Sequence, residues 1–346
     1  MEAWLEHFYG GLHWSLLGLV IAASLYAVGW AADWLVDEAV ELSERSNIPK
    51  TVIGATIVSL GTTMPEAAVS VLAALQGSPG LALGNAVGSV ICDTGLILGI
   101  AALISPLRLD RSVVNRQGWI QFGAGVALVV FAFPWSTPAA ALVTGGGLPR
   151  VVGFGFLAAL VAYMVLSIRW ARLEHTDPTE ELTYDDAPTW LVVIKLLFAI
   201  GIVVVAAQVL IPAVDEAATR MAIPESIIAA TLVAFGTSLP ELVTAVTAAR
   251  RGHGELAIGN VVGADILNVL FVSGAAAAAT PGGLIADPYF FSVLFPVMLF
   301  VLLVFRIGIF VSGEAMGRPF GYVLLGAYGV YLAVSLIFPE SAPSLP

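Results

Sequence analysis

The sequence predicts an all-α integral membrane protein with ten transmembrane helices arranged as two inverted five-helix repeats. Three observations predict this: the composition, ten apolar segments of spanning length, and one intramembrane pattern written twice. Of the 346 residues, 59% are hydrophobic and 11% charged. The mean hydropathy of +0.94 lies far above that of soluble domains. Such a chain buries part of its apolar surface in helix packing and turns the rest toward membrane lipid. The net charge of -11, with Lys and Arg scattered, excludes nucleic acid as a partner, because phosphate binding needs a clustered basic face. Cys92 is the single cysteine, so the fold gains nothing from an intrachain disulfide. The acidic start MEAWLEHFYGGLHW leads into an apolar stretch that ends at Asp33 and Asp37 without an A-x-A site. It reads as a retained first helix, not a signal peptide.

The ten segments lie near 14–36, 49–75, 80–104, 118–135, 149–170, 189–212, 224–249, 255–279, 287–305 and 319–338. Each has about 20 residues, the length that crosses the hydrocarbon core as a helix. None shows the alternation of a barrel strand, and lipid leaves no other way to satisfy the backbone. Basic residues set the orientation. With both termini outside, Arg45, Lys50, Arg108, Arg111, Arg116, Arg169, Arg172, Arg250, Arg251, Arg306 and Arg318 fall on the cytoplasmic side. That is eleven of the fourteen Lys and Arg. Arg150 and Arg220 fall outside, and Lys195 sits near the cytoplasmic start of the sixth helix.

Residues 48–99 align on 223–274 at a constant offset of 175, with 22 identities in 52 positions and no gap. Self-similarity of this kind marks a duplication. Five crossings separate equivalent positions, an odd number, so the second copy threads the membrane from the opposite face. Inverted repeats of this sort place a transported substrate near the midplane, where they meet. The predicted organisation is a first repeat over 1–172, an acidic cytoplasmic linker over 173–188 and a second repeat over 189–346. The linker carries Glu174, Asp177, Glu180, Glu181, Asp185 and Asp186 without the Gly-centred spacing of an EF-hand, and reads as a solvated loop.

The duplicated pattern is GTTMPE at 61–66 and GTSLPE at 236–241. Pro65 and Pro240 cannot donate to the carbonyls of Gly61 and Gly236, which breaks each helix. A freed carbonyl in lipid must line a cavity or meet a cation. Thr62 with Glu66, and Thr237 with Glu241, stand four apart on one helical face, with Thr63 and Ser238 beside them. Hard cations demand oxygen shells of this kind, and a charged Glu at mid-membrane is too costly to install twice without use. The next segment of each half adds a stripe at every fourth residue: Asn85, Ser89 and Asp93, matched by Asn260, Ala264 and Asn268. Asp265 lies one residue beyond the stripe. Gly84, Gly88, Gly259 and Gly263 flank these stripes and predict close helix approach.

These residues carry a resemblance. The two GT motifs, with GNAVGSVICDTGLILG and GNVVGADILNVLFVSG after them, resemble the alpha-repeats of the cation/calcium exchanger superfamily, most closely the prokaryotic sodium/calcium exchangers. The resemblance covers both halves. It implies Glu66 and Glu241 as central calcium carboxylates, with the backbone oxygens of Thr62 and Thr237 completing the calcium shell. It further implies flanking sodium sites from the carbonyls of Ser59 and Ala234, the hydroxyls of Thr63 and Ser238, and Ser89. Asp93 and Asn268 would face each other in the centre. Three positions depart from the family pattern: Asp93 and Asn268 look exchanged, Ala264 replaces a serine, and Asp265 stands where Asn is common.

The expected activity is antiport of calcium against sodium by alternating access, with no cofactor and no enzymatic step, and with a monomer sufficient. The expected place is the plasma (inner) membrane of a prokaryote. Calcium/proton exchange on the same fold is the alternative, opposed by the absence of a GNxxE motif. Potassium-dependent exchange is disfavoured by Asn268, and a channel would show conductance without counterflow. An intramembrane protease is excluded because Tyr184-Asp185 lies in the polar linker and no GxGD motif occurs.

Overall fold

The structure, a computed structural model, describes residues 8–174, 188–221 and 237–337. Helix α1 runs over Trp14–Ser46 and stops at Asn47, whose φ of 53° lets its N–H reach back to Ser43 and Glu44 before Pro49. The second expected segment is a bent pair, α2 (Lys50–Thr62) and α3 (Met64–Leu75), inclined by 44°. Pro65 lies in the first turn of α3, where a missing N–H is tolerated, so the bend falls at Thr63. The first half continues with α4 (Pro79–Ile104), α5 (Arg111–Ala132) and α6 (Arg150–Glu174). Asp110 caps α5 by accepting the N–H of Val113.

The second half contains α7 (Thr189–Arg220), α8 (Leu239–Arg250), α9 (Gly254–Ala279), α10 (Phe290–Val311) and α11 (Arg318–Ile337). Among the described residues, six helices are long and apolar enough to cross a membrane, or seven with the bent pair counted as one. Helices α5, α8 and α11 occupy the other expected segments. Ala234, Gly236 and most of the acidic linker lie outside the described residues.

Burial ranks the helices. The apolar windows of α9 and α4 are 89% and 72% buried, whereas those of α1 and α6 are 28% and 22%. The motif-bearing helices thus form the centre, and Leu19, Tyr26, Val161 and Phe310 face outward as lipid-contacting surface. Gly259 and Gly263 make that centre possible. A Cβ on Gly259 would stand 2.2 Å from the Thr51 carbonyl oxygen, and one on Gly263 2.5 Å from Ala55 Cα. The expected close approach is therefore real for α9 against α2. At Gly84 an added Cβ would meet only Phe290 Cζ at 3.8 Å and at Gly88 nothing within 4 Å, so the close approach expected there is not seen among the described residues.

Two short ribbons tie the halves together. Strand β1 (Leu107–Arg108), after α4, pairs antiparallel with β4 (Ala315–Met316), before α11. Strand β2 (Gly146–Leu148), before α6, pairs with β3 (Leu284–Ala286), after α9. Each ribbon takes one strand from each half. Outside this core, α1 and α7 pack along each other, and Lys195 Nζ lies 3.5 Å from Glu38 Oε1. Arg251, just after α8, pairs with Asp37 at 2.5 Å and donates to the Asp33 carbonyl, clasping α1 to the core.

Candidate functional site

The site forms where α2–α3, α8, α4 and α9 cross. Wide π-type turns widen α4 at Cys92–Ile97 and α9 at Asn268–Ser273, so Asp93 and Asn268 sit in matching irregularities of the two halves. Such turns recur at functional positions because they re-aim side chains and loosen the backbone ladder. Asn268 Nδ2 donates to Asp93 Oδ2 at 3.3 Å. The two residues stand one repeat offset apart and meet, as expected.

The two GT motifs also interlock. Thr63 Oγ1 donates to Glu241 Oε1 at 3.2 Å, joining the first motif to the carboxylate of the second. Thr237 Oγ1 donates to Asn85 Oδ1 at 3.4 Å, joining the second motif to the stripe of the first. Asn85 Nδ2 in turn donates to Ser70 Oγ at 3.0 Å and to the Glu66 carbonyl at 3.5 Å. Thr62 is fully buried, but its hydroxyl turns back to the Ser59 carbonyl at 3.3 Å, which also accepts the Thr63 N–H at 2.9 Å. This changes the reading of Ser59: both lone pairs of its carbonyl are already engaged, so a place in a sodium shell would require Thr62 to turn away. Ser89 and Ser238 are buried at the same crossing.

Four acids lie in this centre. Glu66 and Asp93 are 0% exposed, and Glu241 and Asp265 are 1% exposed. Among the described residues, no Lys or Arg pairs with any of them. Their oxygens are only partly met: among the described residues Glu66 Oε1 and Oε2, Glu241 Oε2, Asp93 Oδ1 and Asp265 Oδ1, and with them the amide oxygen Asn268 Oδ1, have no hydrogen-bond partner. Buried polar groups in folded proteins are nearly always paired, so this concentration of free acceptors fits a cation substrate. No three His, Cys, Asp or Glu side chains among the described residues converge tightly enough to hold an ion alone. Threonine and serine hydroxyls, backbone carbonyls and Asn oxygens would have to complete any shell, in keeping with the hard-cation chemistry expected from the motif.

Two residues of the centre escape a motif-based reading. Thr94 Oγ1 and Gln121 Nε2 both donate to Asp265 Oδ2. Gln121 comes from α5, outside the duplicated segments. A glutamine deep in an apolar helix was the available signal.

Comparison with known proteins places the chain. The model of the family described as "Sodium/calcium exchanger protein" matches residues 16–169 and 191–337. The chain is 33% identical to "Inner membrane protein YrbG" of Escherichia coli, over 91% of this chain and 97% of that one. It is 29% identical to "Sodium/calcium exchanger MaX1" of Methanosarcina acetivorans, over 92% and 96%. A solved structure of the sodium-calcium exchanger NCX_Mj superposes with a TM-score of 0.76 at 25% identity, covering 92% of this chain and 98% of that one. Two matched blocks divide where the acidic linker lies, in step with the duplicated halves. The chain belongs to the sodium/calcium exchanger family, whose members are membrane transporters rather than enzymes.

Proposed function

We propose that this protein exchanges calcium for sodium by alternating access at a midplane site formed by Glu66 and Glu241. The observation that carries the reading is the reciprocal contact of the two halves, Thr63 to Glu241 and Asn268 to Asp93, around carboxylate oxygens without a hydrogen-bond partner among the described residues. Thr62, Thr237, Thr63, Ser238 and Ser89 surround these acids as further oxygen donors, and the Ala234 carbonyl is assigned with them by motif position. Asp93, Asn268 and Asp265 supply the remaining polar oxygens.

Exchange follows from electrostatics. A pocket of several uncompensated acids is expensive to close off in a medium of low dielectric, so an empty carrier returns slowly. Calcium, or several sodium ions, neutralises the acids and permits closure. The helices free to move are α1 and α7, which pack along each other outside the core, against the fixed centre of α4 and α9. The ribbons support the inverted arrangement of ten spans, 1–172 and 189–346 on either side of the linker. Each pairs the strand after the third span of one half with the strand before the fifth span of the other. The exchange of roles between the two ribbons is what a pseudo-twofold axis in the membrane plane produces. A monomer contains every residue of this site. The distribution of basic residues favours both termini outside, and the inner-membrane relative of Escherichia coli favours a prokaryotic plasma membrane.

Calcium flux in proteoliposomes under separate sodium, potassium and pH gradients tests the reading. Uptake driven by an opposing sodium gradient is the expected result. Flux driven by protons alone would replace sodium with calcium/proton exchange, and flux that needs potassium with calcium would make the exchanger potassium-dependent. Passive conductance without counterflow would replace the carrier with a channel.

A further inference from the structure

One buried carboxylate lies off the line of the repeated ligands. At the offset of 175, Ser89 of the first half meets Ala264 of the second, so α9 lacks a hydroxyl at that step. The next residue, Asp265, corresponds to Val90 and places an acid where the first half has an apolar side chain.

Two helices converge on it. From α4, Thr94 donates its hydroxyl to Asp265 Oδ2, and from α5, Gln121 donates its amide to the same oxygen. Gln121 Nε2 also lies 3.1 Å from Thr94 Oγ1, which closes the triangle. Asp265 Oδ1 has no partner among the described residues although the residue is 1% exposed. A buried acid serving only the fold would have both oxygens met. Here one is fixed by two donors and the other is left free, which is how a ligand is oriented.

The charge indicates the ion. Calcium takes six to eight oxygens and balances two carboxylates, and the Glu66–Glu241 pair already answers that demand. Of the two further acids, Asp93 faces Asn268 beside that pair, whereas Asp265, off that line, adds one negative charge with no Lys or Arg against it among the described residues, so a monovalent cation balances it.

We propose that Asp265, Thr94 and Gln121 form a sodium subsite, displaced by one residue from the position where Ala264 leaves no hydroxyl. This rests on the exchanger reading above and extends it: α5, a helix outside the duplicated motifs, takes part in selecting the counter-ion.

Sodium, potassium and calcium titrations of the purified full-length protein by calorimetry, in two buffers of different ionisation heat, test the subsite. Asp265→Asn raises the half-saturating sodium concentration about tenfold, the expected loss for one charged oxygen contact. The ratio of sodium to calcium half-saturation rises with it, by about fivefold or more on the same grounds. Thr94→Val keeps the acid and removes one donor; it raises the sodium value by about threefold and carries the test if Asp265→Asn does not fold. Unchanged sodium binding in both variants overturns the subsite. So does an equal loss of sodium and calcium binding, or a wild-type protein that binds potassium there as well as sodium. Heat that tracks buffer ionisation instead of sodium would mean that Asp265 holds a proton, and overturns it too. A wild-type protein that binds sodium but no calcium would instead overturn the exchanger reading, while the sodium ratios among variants still decide the subsite.

Discussion

Asn85 and Asn260 occupy equivalent positions in the two halves, yet their surroundings differ. Asn85 donates to Ser70 and to the Glu66 carbonyl and accepts from Thr237. Asn260 is 0% exposed, and neither its Oδ1 nor its Nδ2 has a partner. The sequence explains part of this, since Ala245 stands where the first half has Ser70, and Thr62, the counterpart of Thr237, bonds to Ser59 instead. Duplication kept the spacing of these polar residues but not the hydrogen bonds that hold them. The first half fixes its stripe with hydroxyls. The second leaves its stripe less constrained and carries its extra acid, Asp265, one residue aside.

The largest test of this contrast is on the paired glutamates. Glu66→Gln and Glu241→Gln are each expected to abolish calcium exchange by a factor of about a hundred or more, because each removes a charge buried without a substitute. Tracer flux in proteoliposomes measures it, and near-normal flux from either variant would remove that residue from the site. Next is the exchanged pair. Asp93→Asn is expected to weaken calcium binding about tenfold, or about 1.4 kcal/mol. Adding Asn268→Asp should recover most of that loss, since it returns the acid from the facing helix; calorimetry reads both, and no recovery would mean that the two positions are not interchangeable.

A steric test separates packing from ligand chemistry. Gly263→Leu would press a side chain into the α2 backbone at Ala55, and is expected to lower stability by about 1–3 kcal/mol, seen as a lower Tm in detergent. The smallest effect falls on the asparagines themselves. Asn85→Leu strands the Ser70 hydroxyl and is expected to cost about 1–2 kcal/mol, whereas Asn260→Leu removes two unpaired groups and leaves the Tm level or higher. Equal destabilisation by both substitutions would erase the asymmetry between the halves.

Much of the site could be read from the chain. The repeat offset brings Asp93 to Asn268, and the proline of the first motif accompanies the bend beside Glu66, because local patterns and one symmetry operation contain both facts. The Thr63–Glu241 contact is of another kind: it depends on the angle at which two separate helices cross. Gln121 was harder still. It lies in an α5 whose apolar pattern is ordinary, and its partner is 144 residues away. The Ser59 carbonyl shows another limit of motif position, which nominates an oxygen without showing that two neighbouring donors share it. Wide turns at Cys92–Ile97 and Asn268–Ser273 were also invisible, since no residue type demands them.

The two ribbons have a consequence for assembly. Because β1 recruits β4 and β2 recruits β3, while α9 is seated against α2, what unites the protein is mutual embrace and not the covalent tether between its halves. Severed at the tether and produced as separate polypeptides, the pieces would retain every complementary surface they need to recognise one another.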